Sequence, residues 1–240
     1  MTETRLSKYL SSQGLCSRRE ADRYIEAGWV TVDGEVVREA WFRVSDHHTV
    51  ELSEKAQATQ NSLLTIILNK PLGVVSAQPE SGQTSASRLI TPASYFGKGK
   101  VPRLDRKQAF APAGRLDINS TGLLVLTQDG RVARQLIGND NRVEKEYLIR
   151  HTGVVSDSQL EQLRFGLSLD DKPLKRARVQ RVNREQIRMT LMEGRKRQIR
   201  RMCEAVDLQL KALKRVRIGN LRLGDLPPGK WRLMQSGERF

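Results

Sequence analysis

The spacing of apolar residues predicts two helices at the start of the chain. Leu6, Tyr9 and Leu10 recur at helical spacing. Residues 17–20 (SRRE) are typical of a capping box, in which a serine and a glutamate three residues later satisfy the first amides of a helix. This second helix should end at Gly28, because glycine adopts the left-handed conformation at little cost.

An alternating pattern follows the two helices. Residues 29–32 and 35–37 predict a hairpin around the turn Asp33-Gly34, and residues 49–52 predict a third strand. Residues 54–62 are polar and have no hydrophobic period, which favours a linker. We therefore divide the chain into a small helix-helix-hairpin module (1–53), a linker (54–62) and a larger domain (63–240).

The larger domain has the pattern of a mixed, largely antiparallel sheet with flanking helices. Apolar or alternating segments predict its strands near 63–68, 123–127, 143–149, 175–182, 186–192, 213–219 and 226–232. Helices are predicted at 131–137, at 156–165 behind a second capping box, and around 199–206. Residues 77–112, rich in Gly, Pro and Ser, give no clear pattern. The expected fold class is α+β.

Composition narrows the function. The chain has 42 Lys and Arg against 27 Asp and Glu, a net charge of +15, which indicates nucleic acid as partner rather than a membrane surface. Aromatic residues make up only 5%, so long stacking platforms are not expected. Without a membrane-length apolar run or a signal-peptide core, we expect a cytoplasmic protein. The two cysteines and three histidines have no metal-ligand spacing, and we expect no metal and no cofactor.

The candidate reactive group is Asp117, within GRLDINSTGLLVLT at 114–127. It ends an apolar stretch and precedes a polar loop, an arrangement that holds a reactive group rigidly at the mouth of a cleft. The alternative is that its carboxylate only accepts hydrogen bonds from the turn amides of Ser120 and Thr121. The tripeptide RLD of residues 115–117 recurs at 103–105. There, Pro102 stands in place of the glycine that precedes the first copy, and no TGLL follows, so we expect Asp105 on a loop surface.

Three other segments carry candidate chemistry. Tyr147 is either a half-buried strand tyrosine or a ring face for an unstacked base. Residues 193–202 (EGRKRQIRRM) predict a basic helix start behind Gly194 and thus an anion site, although RNA-binding helices in general are also basic. Residues 69–73 (NKPLG) predict either a plain strand-turn-strand connection or a wall of the cleft.

Segment 114–130 (GRLDINSTGLLVLTQDG) resembles the signature of pseudouridine synthases of the RsuA type, including the branch that acts on large-subunit ribosomal RNA. NKPLG at 69–73, KEYL at 145–148 and EGRKRQIRRM at 193–202 resemble further motifs of that family, so the resemblance spans nearly the whole chain. It implies an isomerase that converts a uridine in structured RNA to pseudouridine without metal or cofactor. Large-subunit ribosomal RNA is the expected target, with small-subunit ribosomal RNA or transfer RNA as alternatives, and a monomer is expected.

The resemblance also implies roles for particular residues. Asp117 would act on the sugar, either as a nucleophile at the anomeric carbon or as a base that generates a glycal. Arg200 would pair with Asp117, Tyr147 would hold the flipped base, and Arg115 would fill the gap that the base leaves. Further substrate contacts are expected from Lys70, Arg195, Lys196, Arg197, Gln198 and Arg201.

The first fifty residues resemble the small RNA-binding module shared with ribosomal small-subunit protein four. The resemblance rests on SRREA at 17–21 and GWVTVDG at 28–34. Each of its arginines could be an ordinary solvated side chain, yet together they favour RNA. Phosphate contacts are expected from Arg5, Arg18, Arg19 and Arg23.

Two rival classes share part of this evidence. A non-catalytic RNA binder acting in ribosome assembly would have the same charge and the same module, but it has no need for a carboxylate in a polyanion cleft. An RNA methyltransferase would need a Gly-rich nucleotide loop after a first strand, which the sequence lacks.

Overall fold

The computed structural model describes residues 3–104, 109–138 and 143–240 as an α+β fold, in agreement with the expected class. Asp105 lies outside the described residues. The helices are α1 (Leu6–Ser12), α2 (Arg18–Glu26), α3 (Glu54–Asn61), α4 (Gly130–Ile137), α5 (Asp157–Arg164) and α6 (Gln198–Ala205), with short 3-10 helices at Ala86–Leu89 and Pro92–Ser94. The strands are β1 (Thr4–Arg5), β2 (Val30–Val32), β3 (Glu35–Val36), β4 (Arg43–Val44), β5 (Val50–Leu52), β6 (Thr65–Lys70), β7 (Val74–Val75), β8 (Thr84–Ser85), β9 (Ala111–Pro112), β10 (Thr121–Thr127), β11 (Lys145–His151), β12 (Ser168–Leu169), β13 (Lys172–Pro173), β14 (Arg178–Asn183), β15 (Gln186–Leu191), β16 (Leu210–Ile218), β17 (Leu221–Arg222) and β18 (Trp231–Leu233).

The N-terminal module has the two helices and the hairpin that the sequence predicts. Ser17 and Glu20 cap α2 reciprocally, since the Ser17 hydroxyl accepts from the Glu20 amide and the Glu20 carboxylate accepts from the Ser17 amide. Asp33 and Gly34 both have positive φ (51° and 86°), as a two-residue hairpin turn between β2 and β3 requires. Strands β1 and β4 were not predicted, because two residues are too few to show an alternating pattern.

The segment predicted as a linker forms a helix, α3. Its start is capped by Ser53, whose hydroxyl accepts from the Ala56 amide. Ala56 packs into the core of the module, and the buried Gln60 side chain donates to the Tyr24 hydroxyl at 2.7 Å. Only these two residues of α3 are buried, which explains why the sequence shows no hydrophobic period there.

A nine-stranded sheet forms the larger domain. Its strand order is β14-β15-β11-β16-β10-β6-β18, with β9 added to β10 and β17 added to β16. Among its described strand pairs β10–β16 is parallel and the others are antiparallel, as the mixed, largely antiparallel prediction requires. Successive residues of β10 alternate between the two faces, so Leu124 and Leu126 enter one core while Leu123 and Val125 enter the other.

Strands β10 and β16 approach each other closely at Gly122. This glycine has φ +101°, and a Cβ built on it would lie 2.2 Å from the carbonyl oxygen of Arg215. Any side chain would therefore push the two strands apart. The close approach places Arg215 beside the start of β10, which follows the loop that carries Asp117.

Helix α4 of the larger domain packs against the N-terminal module. A Cβ on Gly130 would lie 2.1 Å from the Cβ of Ser17, so the first turn of α4 packs against the first turn of α2. Arg131 donates to the Gln60 carbonyl at 3.4 Å, and Arg134 donates to the Ser11 carbonyl. The module is thus held by the packing of Gly130 against the Ser17 side chain and by hydrogen bonds, as well as by its covalent connection.

The last strand is shorter than the sequence predicts. The last strand covers Trp231–Leu233, while residues 226–230 form a loop that Asn69 fastens by donating to the Leu226 carbonyl at 2.7 Å. Of the helices in the described part of the chain, none has the length and apolarity needed to cross a membrane.

Candidate active site

A cleft of about 420 Å³ opens between the loop before β10, the segment before α6 and the strands β11 and β16. Asp117, Tyr147, Arg200 and Arg115 all line it, although they come from distant parts of the sequence. The structure therefore brings the four residues with implied catalytic or base-handling roles to one place.

The loop that carries Asp117 is fastened from both sides. The Ser76 hydroxyl accepts from the Leu116 amide at 2.9 Å and donates to the Leu116 carbonyl at 2.7 Å. The following turn closes through the Ser120 amide, which donates to the main-chain carbonyl of Asp117 at 3.0 Å. This turn is closed by the main-chain carbonyl of Asp117 and not by its carboxylate, while the catalytic role of Asp117 stays a prediction. Its side chain is 33% exposed, towards the cleft.

Arg200, in the first turn of α6, lies beside this carboxylate. Its Nη2 donates to the Asn119 carbonyl at 2.7 Å and to the Ser120 hydroxyl at 3.3 Å. Its Nε lies 3.8 Å from Asp117 Oδ2, which is an ion-pair distance but too long for a hydrogen bond. Accordingly, Nε is buried without a hydrogen-bond partner among the described residues. Burial and then the nearby charge of Arg197 lower the pKa of Arg200, while Asp117 opposes the shift.

Tyr147 is a strand residue that also borders the cleft. Its side chain is 8% exposed and belongs to the core on one face of the sheet. The two interpretations of this tyrosine are therefore compatible, because a packed strand tyrosine presents part of its ring to the cleft. Its contact with a base stays a prediction.

Lys70 lies behind the cleft rather than in it, which corrects its expected contact with substrate. Its side chain is fully buried, and Nζ donates to the carbonyls of Pro71 (2.8 Å), Val74 (2.7 Å) and Ile118 (3.5 Å). Burial lowers its pKa to about 8, against the opposing effect of the Asp117 carboxylate. Lys70 thus ties the loop after Asp117 to the turn after β6.

Several side chains of the basic segment at 193–202 form hydrogen bonds with other groups of the protein. Helix α6 begins at Gln198, not directly behind Gly194, and Arg197 precedes it in the left-handed conformation. Arg195 donates to the carbonyls of Leu169, Lys172 and Pro173 on the β12–β13 hairpin. The hairpin is thereby fixed against the cleft wall.

Two further residues of this segment also have partners inside the chain. The buried Gln198 side chain bonds the Arg195 amide and Glu193, and Arg201 makes a bidentate pair with Asp170. Arg195 and Gln198 also line the cleft, and the expected contacts of Arg195, Gln198 and Arg201 with substrate stay predictions. Lys196 and Arg197 remain exposed.

The arginines of the module do not lie on a single surface. Arg5 and Arg18 line a concavity together with Lys8, Arg43 and the 73% exposed Trp41. Arg23 lines a different, smaller cavity between the module and the larger domain, and Arg19 is exposed. The predicted phosphate contacts are thus spatially divided.

Two buried cations of the cleft were missed in the sequence. Lys145 and Arg215 line it at 8% and 2% exposure. The signal was available, because each is a basic residue at an inward position of a predicted strand. For a metal, by contrast, residues 3–104, 109–138 and 143–240 contain no cluster of three or more His, Cys, Asp or Glu that could hold an ion.

Comparison with known proteins places this cleft in a family context. The family described as RNA pseudouridylate synthase matches residues 64–205, and the S4 domain matches residues 4–50. An uncharacterized RNA pseudouridine synthase of Aquifex aeolicus is 34% identical over 98% of this chain and 94% of its own length. The ribosomal small subunit pseudouridine synthase A of Escherichia coli K12 is 35% identical over 98% of this chain and 97% of its own.

Two other matches extend this comparison. The dual-specificity RNA pseudouridine synthase RluF of Escherichia coli K12 is 32% identical over 99% of this chain and 77% of its own. A crystal structure of a pseudouridylate synthase superposes with a TM-score of 0.65 over 96% of both chains, at 23% identity. The structural match shows a shared fold.

Proposed function

Because the chain belongs to the RNA pseudouridylate synthase family, and is therefore an RNA-modifying isomerase, we propose that Asp117 is its catalytic residue and large-subunit ribosomal RNA its substrate. The S4 domain at residues 4–50 supplies an RNA-binding module. The resemblance of segment 114–130 to the RsuA-type signature, with its large-subunit branch, supports the choice of RNA.

The observation that carries the assignment of Asp117 is its arrangement with Arg200. The loop around Asp117 is held by the Ser76 hydroxyl and by a main-chain hydrogen bond from the Ser120 amide. Its carboxylate makes no hydrogen bond with the described residues and lines the cleft at 33% exposure. Arg200 fixes the same loop through Asn119 and Ser120 while its Nε stays 3.8 Å from the carboxylate. Arg200 therefore helps to position the Asp117 carboxylate without forming a hydrogen bond to its oxygen atoms.

The reaction proposed for this cleft begins with the target uridine leaving its stack. Tyr147 presents its ring to the displaced base, and the exposed Arg115 fills the gap in the RNA. Asp117 then acts on the sugar, as a nucleophile at the anomeric carbon or as the base that forms a glycal. After the uracil has turned, it rejoins the sugar through carbon.

The test of the carboxylate is Asp117→Asn. We expect product formation to be abolished and RNA affinity to be nearly unchanged, because the amide keeps the size of the side chain but loses its negative charge. Asp225→Asn is the matched control, since Asp225 is exposed and outside the cleft. Appreciable turnover by Asp117→Asn would refute the assignment.

The test of the substrate is site-by-site pseudouridine mapping on ribosomal RNA from cells with and without this protein. The 35% identity to the small-subunit synthase A and 32% identity to RluF are too similar to choose a target. We expect one large-subunit site to be lost on deletion and restored by the wild type but not by Asp117→Asn. A lost site in small-subunit or transfer RNA would correct the substrate. An unchanged map in every RNA would favour the non-catalytic assembly factor.

A further inference from the structure

Arg215 is a buried cation without a counter-ion in the described part of the chain. It is 2% exposed, its Nε donates to the Leu123 carbonyl at 2.8 Å, and its Nη2 is buried without a hydrogen-bond partner. Arg217, two residues further along β16, instead pairs with Glu144 at 3.1 Å and Glu146 at 3.2 Å. A buried guanidinium that lacks such partners is costly to fold, so its partner is expected to arrive with a ligand.

Lys145 adds a second buried charge at the same place. It is 8% exposed, and its Nζ donates to the Val143 carbonyl at 3.1 Å. Burial, and then the charge of Arg215, lower the pKa of Lys145 to about 8. The two cations repel each other, and neither makes an ion pair with a carboxylate of the described residues.

The sheet places both cations beside Tyr147. Arg215 is the direct cross-strand partner of Tyr147, so their side chains are neighbours on one face. Lys145 is two residues before Tyr147 on β11 and therefore points to that face as well. All three line the cleft, opposite the loop that carries Asp117.

We propose that Arg215 and Lys145 form a site on the floor of the cleft that binds the carbonyl edge of the target uracil and stabilises the base while it is detached from the sugar. The inference rests on the proposed uridine-binding role of the cleft. When the bond from C1′ to N1 breaks, its electron pair stays on the base, which becomes an anion with charge on its carbonyl oxygens. After rotation, C5 bonds to C1′ and loses its proton, and N1 gains one, so the reaction remains an isomerisation. Donors aimed at oxygen atoms that become negative are a common means of lowering such a barrier.

The position of the two cations favours the base over a phosphate as their ligand. A flipped nucleotide enters a pocket base first, while its phosphates stay with the backbone at the mouth. Arg215 is almost inaccessible at the floor, whereas Arg115 and Arg197 are exposed near the mouth. The exposed arginines are therefore the candidates for phosphate, and Arg215 for the base.

The deciding experiment compares Arg215→Met with the wild type in single-turnover assays on the transcribed ribosomal RNA that mapping identifies, with RNA affinity and urea unfolding measured in parallel. We expect the rate constant to fall by about 10²- to 10³-fold, the size typical for loss of one donor to a developing anion. Affinity should change less than about threefold, since no phosphate contact is lost. The unfolding midpoint should be equal or higher, because an unpaired buried charge has been removed.

Arg217→Met is the matched control. It removes the partner of Glu144 and Glu146, so it should lower the unfolding midpoint while the folded protein keeps its rate constant. Lys145→Gln provides a second test of the floor and should lower the rate constant, again without loss of affinity. A rate constant for Arg215→Met within about threefold of the wild type would overturn the proposal. The proposal would also be overturned if Arg215→Met bound RNA more weakly and released about one ion fewer on binding, as judged from the salt dependence of the affinity. That result would indicate a phosphate contact. A wild type that is inactive on every RNA tested would instead remove the proposed function.

Discussion

The close approach of β10 and β16 makes Gly122→Ala the most informative change to the sheet. The new Cβ would lie 2.2 Å from the carbonyl oxygen and 2.8 Å from the amide nitrogen of Arg215. Both contacts are with main chain, which cannot rotate away as a flexible side chain can. Relief requires the strands to separate at the only parallel pair described in the nine-stranded sheet.

The magnitude has two parts. Placing alanine at φ +101° costs about 1–3 kcal/mol in backbone strain. The forced contact adds about 1–3 kcal/mol, as overpacking usually does. Gly166→Ala separates the two parts, because Gly166 has φ +99° but no atom within 4 Å of its Cβ position.

Urea unfolding of the two variants and the wild type measures the difference. We expect both to lose stability and Gly122→Ala to lose at least about 1 kcal/mol more than Gly166→Ala. The same separation of strands should displace Arg215 and lower the rate constant in Gly122→Ala alone. Equal losses of stability would show that the contact with Arg215 carries no energy and would refute the reasoning.

Two further predictions concern the cleft. Unfolding restores the ordinary pKa of Lys145 from about 8 to 10.5, so its contribution to stability is complete above pH 10.5 and is lost as the pH falls through 8. Relative to Lys145→Met, the free energy of unfolding of the wild type in urea should therefore rise by up to about 3 kcal/mol between pH 8 and 10.5. If the two proteins showed the same dependence of stability on pH, the prediction would be wrong. Tyr147→Phe keeps the ring and should stay within about tenfold of wild-type kcat/KM, whereas Tyr147→Leu should lose about 1–3 kcal/mol of transition-state binding. Equal kcat/KM for the two Tyr147 variants would exclude a role for the ring.

Much of the fold could be predicted from local patterns in the sequence. The capping boxes at Ser17 and Ser156, the turn at Asp33-Gly34 and the alternating strands have signals that span only a few residues, and the structure confirms each of them. Helix α3 was missed because it buries only Ala56 and Gln60. Its N-cap, Ser53, is a local signal, but the packing of Ala56 and Gln60 against the module is a tertiary contact that no local pattern records.

The sequence predicted some of the residues that line the cleft but not the contacts that each of them makes. The ordered motifs led to Asp117, Tyr147 and Arg200, and the structure brings these three together. Lys70, Gln198 and Arg195 were expected to contact the substrate because of the family resemblance. In the structure Lys70 binds carbonyls of the turn after β6, and Gln198 binds the Arg195 amide three residues away. Arg195 binds carbonyls of the β12–β13 hairpin, which only the tertiary fold brings near. Arg215 was overlooked although its inward position in a predicted strand was visible, because the lack of a counter-ion among the described residues appears only in the structure.

The packing of α4 on α2 has a consequence for how a target uridine is selected. If a flexible linker connected the module to the larger domain, one contact of the module with RNA could be combined with uridines at many distances from that contact. Here Gly130 lies against Ser17, and Arg131 and Arg134 bond main-chain carbonyls across the contact, so the module and the cleft keep one spacing. We therefore expect the protein to accept a uridine by its distance and direction from the RNA feature that the module binds, while the nucleotides between these two points can vary.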